Sequence, residues 1–387
     1  MGECIAEPGQ HQGAESMSIK HLIALGFYES EKNKNITDQI LAEDGPKLSG
    51  GASLKLQLIP AIRSAQKLGL KPAALSLHSP IHASESLKQK RCICLIGKMS
   101  SNREDLVKTM IRANLPFIRE LKDLNCPILI QYSDNILSEK NILSEFYAEI
   151  FEIANAIIYP SSALMRLNKD KSPEQCKTTV IRDPWQLESL QTPRSLKAKQ
   201  ECKIVWYGSA KNTKYLLKCL PKLLLNSPKN RAFELTILGL KISHDLIKTF
   251  IQQHSLKVPS NWNIRMVTWN HARQPQQLEE EITRAHIALI PSDPTDPLKA
   301  GVSHNRLVDA LRGGCIPIAS PMDSYLELGD IALLGNEMDL LLKEAIDSYD
   351  SLSSKIIGKR DELLKEFDPE SNKQAWTQLL RDVISTS

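Results

Sequence analysis

The pattern that most restricts this chain is an alternation of short apolar runs with amphipathic helical stretches, and it occurs twice. KHLIALGF (20–27), AALSLHS (73–79), RCICLIGK (91–98), PILIQYSDN (127–135), AIIYPSS (156–162) and TTVIRDPW (178–185) read as strands, with helices predicted between most of them. Residues 186–200, QLESLQTPRSLKAKQ, are polar, contain a proline and lack periodicity, so they read as a linker. The alternation then returns with CKIVWYGSAKN, FELTILGL, NIRMVTW, IALIPSD and CIPIAS. Helices between strands require crossover connections, which impose parallel, doubly wound sheets. We therefore expect a tail over 1–17, an α/β domain over 18–185, the linker, and a second α/β domain over 201–350. The helices over 351–387 are expected to pack back toward the first domain.

Composition bounds the partners. A chain of 387 residues exceeds one ordinary core of roughly 100 to 200 residues. Its 42% apolar and 24% charged residues are typical of a soluble protein, and no run approaches the ~20 apolar residues of a membrane span. The first 16 residues lack the regions of a secretory signal, and the eight scattered cysteines sit mostly in apolar runs. A cytoplasmic location is expected. Cys92 and Cys94 share one strand face, but nothing nearby completes a zinc set, and HSPIH (78–82) carries a proline between its histidines. No metal is predicted. The net charge of +4 is dispersed, which argues against nucleic acid and leaves room only for weak contact with anionic membranes.

In an open parallel sheet, ligands bind beyond the carboxyl ends of the strands. Four loops there stand out. SGGAS (49–53) offers Gly50 and Gly51 for close backbone approach, and GSAKN (208–212) combines Gly208 with the charge of Lys211. VTWN (267–270) presents Thr268 and Trp269 to a planar base. The fourth, 292–305, leads into KAGVSHNRLVDALRGGCIPIAS (299–320), where Ser303 is expected to cap a helix. The amides of His304, Asn305 and Arg306 would then stabilise a phosphate at the positive end of that helix. Asp309, one turn further in, would accept both hydroxyls of a ribose, the alternative being an ion pair with Arg306 or Arg312. Lys98 and Asp134 end strands facing the same cleft and are candidate substrate contacts.

With these pieces assembled, the chain resembles the family 4 glycosyltransferases of GT-B fold, two Rossmann-like domains facing across a cleft. The matching segments are SGG (49–51), YGS (207–209), HIALIPS (286–292), SHNRLVDALRGGCIPIAS (303–320) and SYLEL (324–328). The resemblance implies a nucleotide-sugar co-substrate, no other cofactor, no metal and a retained anomeric configuration. It places the donor diphosphate on Gly50, Gly51, Gly208, Lys211 and residues 303–306, and the ribose on Asp309. The chain departs from the family where a sugar-binding glutamate is usual, because Gly301 stands there. Asp296, Lys299 or Asn305 would have to compensate.

The expected activity is transfer of a sugar from a nucleotide-sugar to a glycan or other acceptor. The alternative is an impaired relative that binds a nucleotide or glycan and regulates a partner. An NAD-dependent oxidoreductase is disfavoured, since no first-strand GxGxxG with a following acidic residue is present.

Overall fold

The computed structural model describes residues 19–26, 54–76, 91–99, 104–270 and 273–386. Gly50, Gly51, the 1–17 tail and the histidines of HSPIH lie outside the described residues. Two six-stranded sheets form, with every adjacent pair of strands parallel. The first sheet holds β1 (His21–Gly26), β2 (Lys71–Ser76), β3 (Cys92–Ile96), β4 (Ile128–Gln131), β5 (Ala156–Tyr159) and β6 (Lys177–Val180), ordered β2-β1-β3-β4-β5-β6. Strands such as CICLI and ILIQ are buried throughout because helices cover both faces, so they read as unbroken apolar runs rather than alternating ones.

The second sheet holds β7 (Cys202–Tyr207), β8 (Phe233–Gly239), β9 (Trp262–Thr268), β10 (Ile287–Ile290), β11 (Ile316–Ala319) and β12 (Leu333–Leu334), ordered β12-β11-β10-β7-β8-β9. Chain direction across the sheets reverses between β1 and β3 and again between β7 and β10. These switch points open the crevices in which doubly wound sheets bind ligands.

Helices α1 (Ile59–Lys67), α2 (Glu104–Asp123), α3 (Ile142–Ile153) and α4 (Ser162–Asn168) belong to the first domain. The second carries α5 (Thr213–Asn226), α6 (Lys241–Gln253), α7 (Gln274–Thr283), α8 (Asn305–Arg312), α9 (Met338–Asp347) and α10 (Tyr349–Leu363). One boundary differs from expectation. Residue 350 falls inside α10, whose Ile356 joins the core of the second domain, so that helix is not part of the return. Only α11 (Pro369–Thr386) crosses back, placing Trp376, Leu379, Leu380 and Val383 in one core with Leu22, Ala24 and Ile62.

Residues 186–200 form no helix or strand, yet they are not a free linker. Leu187 and Leu196 are buried in the second core, and the Gln191 amide donates to the Arg312 carbonyl at 2.8 Å. The segment is a strap laid along α8, held by contacts that its polar composition does not advertise. Among the described residues no helix is long and apolar enough to cross a membrane.

Candidate functional site

At the carboxyl ends of the strands, cations from both domains converge on one carboxylate. β3 delivers Lys98, and β4 delivers Asp134, whose Oδ2 lies 2.5 Å from Lys98 Nζ. Burial alone would raise the Asp134 carboxyl, but Lys98, Lys299 and Lys211 outweigh it and hold the group below the usual carboxylate range. Lys299 is pushed below an ordinary lysine chiefly by burial, with repulsion from Arg306 and Lys98 working against attraction from Asp134 and Asp296. Asp296 is occupied by the Tyr215 hydroxyl at 2.8 Å and has Lys214 3.5 Å away. Nη1 of Arg306 is buried and has no hydrogen-bond partner among the described residues. Lys98, Lys211 and Lys299 thus share Asp134, Lys214 and Lys299 also face Asp296, and a buried nitrogen of the neighbouring Arg306 guanidinium stands unsatisfied among the described residues. That is the charge balance of an anion site.

Arg306 is aimed by its backbone. The Tyr207 hydroxyl at the end of β7 donates to the Arg306 carbonyl, tying the first turn of α8 to the switch point. The helix opens at Asn305 rather than on a Ser303 cap, because His304 already has helical angles (φ −76°, ψ −6°) and caps nothing by side chain. Ser303 Oγ accepts from the Asn305 amide at 3.3 Å, and Asn305 Oδ1 accepts from the Arg306 amide at 2.8 Å. A phosphate here would replace those local acceptors. The His304 imidazole is fully buried, 3.2 Å from Glu327 Oε2 and packed edge-on against Phe367. Only its backbone is available to a ligand.

Asp309 corrects an expectation. It is 1% exposed, and its two oxygens accept from the backbone N–H and Nε2 of Gln186, both at 2.8 Å. Neither the ribose role nor an ion pair describes this geometry; the carboxylate fastens α8 to the strap. Arg312 does the same from the next turn, bonding the Leu187 and Glu188 carbonyls and stacking over Trp185. The reason is spatial, since the strap lies on the helix face where Asp309 projects.

The loop after β9 is also partly engaged. Thr268 is exposed and Trp269 half-buried against the second core, but Gln277 Nε2 donates to the Thr268 carbonyl at 3.0 Å. Gln277 Oε1 accepts from the Asn270 amide at 2.7 Å. A base docking on this backbone would compete with Gln277, a residue sequence reasoning missed. Gly208 is half-buried and Lys211 exposed beside the β7 end.

Three further residues missed from sequence join the two halves. Ser133 Oγ donates to Gln57 Oε1 at 2.6 Å, Gln57 Nε2 donates to Asp183 Oδ1 at 2.8 Å, and Ser303 also bonds Asp183. Burial pushes the Asp183 carboxyl up to about 6 despite these bonds. Their only sequence signal was position, each lying near the end of an apolar run or the start of a helix.

Gly301 has φ +76°, and a Cβ there would lie 2.6 Å from the Leu164 backbone. Its carbonyl accepts from Ser161 Oγ at 2.6 Å, and the Pro297 carbonyl from Asn135 Nδ2 at 3.0 Å. The glycine absent a sugar-binding side chain is thus the point where the loop of the second domain seats on the first.

No family model matches the chain, and no curated relative matches it. Two facing six-stranded parallel sheets with flanking helices define the GT-B glycosyltransferase fold, and solved structures match it over nearly the whole chain. HepE from Anabaena, in complex with UDP-glucose, is similar with a TM-score of 0.59 and 12% identity, over 94% of this chain and 99% of that one. A glycosyltransferase from Rickettsia africae gives 0.58 and 11%, over 95% and 100%. Sucrose-phosphate synthase from Thermosynechococcus elongatus gives 0.56 and 12%, over 95% and 100%.

Proposed function

We propose that this protein transfers a glycosyl group from a nucleoside-diphosphate sugar to the hydroxyl of a glycan or other acceptor. The observation that carries the reading is the convergence of Lys98, Lys211 and Lys299 about Asp134, with Arg306 beside Lys299 and its Nη1 without a partner among the described residues. A diphosphate supplies the missing acceptors. When the bond between the anomeric carbon and the diphosphate oxygen breaks, negative charge grows on the leaving group, and these cations stabilise it with the amino end of α8. The solved neighbour holding UDP-glucose supports the same class of donor. In this reading the second domain holds the donor, with the base near Thr268 and Trp269 and the diphosphate between Gly208, Lys211 and residues 303–306. The acceptor enters from the first domain. Retention of configuration and independence of divalent metal complete the proposal, and we place the protein in the cytoplasm.

The test is a thermal-shift panel of UDP, GDP, ADP, CMP and their sugars, because binding to the native state raises the melting temperature. One nucleoside diphosphate should raise it clearly, and Arg306→Gln should weaken that ligand by about tenfold or more, as expected for a lost charge-assisted bond of roughly 1.5–3 kcal/mol. Release of the nucleoside diphosphate on adding acceptor, undiminished by EDTA, should follow. If no nucleotide binds, the proposal fails. Binding without release across donors and acceptors would replace the transferase reading with that of a nucleotide-sensing regulatory protein.

A further inference from the structure

Two thiols meet at the end of the first sheet that faces away from the cleft. Cys94 of β3 lies opposite Ile128 of β4 in the parallel register, so two residues back Cys92 faces Cys126. Their sulfurs are 3.3 Å apart, and the Cys92 thiol donates to the Cys126 sulfur. Both cysteines are free. Cys92 has no exposed surface, while Cys126 keeps 4% at the rim, where the chain leaves α2 through Asn125 in the left-handed region (φ 58°). Neighbouring strands stand about 4.8 Å apart. That spacing falls within the ~4.4–6.8 Å between Cα atoms that a disulfide spans.

The geometry points to a modification site: we propose that a peroxide oxidises Cys92 and Cys126 to a disulfide that staples β3 to β4. The Cys126 sulfur, as thiolate, attacks one peroxide oxygen; the O–O bond breaks and hydroxide leaves, giving a sulfenic acid at Cys126. The Cys92 sulfur then attacks the Cys126 sulfur and displaces the hydroxyl group. The protons of the two thiols leave in the water formed, so one hydrogen peroxide and two thiols yield one disulfide and two waters. The hydrogen bond from Cys92 favours this order, since it lowers the Cys126 thiol and raises that of Cys92. Cys94, two residues along the same strand face, is fully buried and its thiol is raised by burial, which leaves it out of the exchange. β3 and β4 lead into the loops that carry Lys98 and Asp134, so the staple joins the two strands that position the first-domain half of the cation cluster.

The experiment exposes the native full-length chain to hydrogen peroxide, blocks remaining thiols with an alkylating agent, and maps tryptic peptides without reduction. The expected product joins peptide 92–98 to peptide 123–140, lighter by two hydrogens, with fragmentation placing the bond on Cys92. Dithiothreitol should reverse it, Cys94→Ser should keep it, and the oxidised chain should melt at a higher temperature than the reduced one. Full alkylation of Cys92 and Cys126 after peroxide would overturn the proposal. So would sulfinic or sulfonic acid at Cys126 without a cross-link, or a bond to Cys94. None of these readouts depends on nucleotide binding or turnover.

Discussion

Asp309 lies one turn inside a helix whose amino end faces the cleft, and its surroundings have turned a position suited to ligand binding into a fastening. Burial pushes its carboxyl up to about 7, although two bonds from Gln186 pull the other way. The sign of the pH dependence follows. An unfolded aspartate loses its proton near pH 4, whereas the folded one keeps it to about 7, so the stabilisation from this proton is complete below about pH 4. It is lost as the pH rises through 7. Asp309→Asn removes this ionisation, and its stability relative to the wild type should rise between pH 4 and 7. The size is at most about 4 kcal/mol at ~1.4 kcal/mol per pKa unit. Urea unfolding at a series of pH values checks this, and a constant difference would show that Asp309 does not titrate there. The residue also marks the limit of sequence reading. Its spacing from the amino end of α8 was legible, but its partner Gln186 is 123 positions away and lies in a segment without periodicity.

At the scale of elements, the loop from 293 to 304 does more than lead into α8. It carries Lys299 into the cation cluster and seats Gly301 on Leu164 of α4, while Leu298 packs against the core of the first domain. Gly301→Ala should destabilise this seating by roughly 1–3 kcal/mol, since the new methyl group meets backbone and the left-handed conformation is strained as well. Hydrogen exchange should then quicken over 162–168 and 297–302 while the strands of both sheets stay protected. Unchanged exchange would show that the loop is not anchored there. The strands were legible because buried parallel strands are continuous apolar runs. The start of α8 was not, because Ser303 bonds both the Asn305 amide and Asp183, and the latter lies far back in the chain, just after β6. A glycine in place of a glutamate reads as a loss in one dimension; in three it is the only residue that fits against Leu164.

At the scale of the whole molecule, the two domains are tied by the strap on α8, by the chain of bonds through Gln57, Asp183 and Ser303, by the 293–304 loop seated on α4, and by α11. The last places four apolar side chains in the core of the first domain. Trp376 is 1% exposed in the core of the first domain, and Trp376→Ala should cost about 3–5 kcal/mol of that domain's stability. Denaturant unfolding followed at probes in each domain checks it, and equal loss in both would mean that they unfold as one unit. Periodicity made α11 legible as a helix and suggested its return, but which helices return was settled by packing.

The return of α11 has a consequence for synthesis. The first domain is translated first, yet its core lacks Trp376, Leu379 and Leu380 until residues 369–386 have left the ribosome. The core of the second domain runs on to Phe367, two residues before α11 begins. The face of the first sheet that α11 covers therefore stays open while the whole of the second domain is synthesised, and apolar surface uncovered in this way is the condition under which nascent chains are held by chaperones.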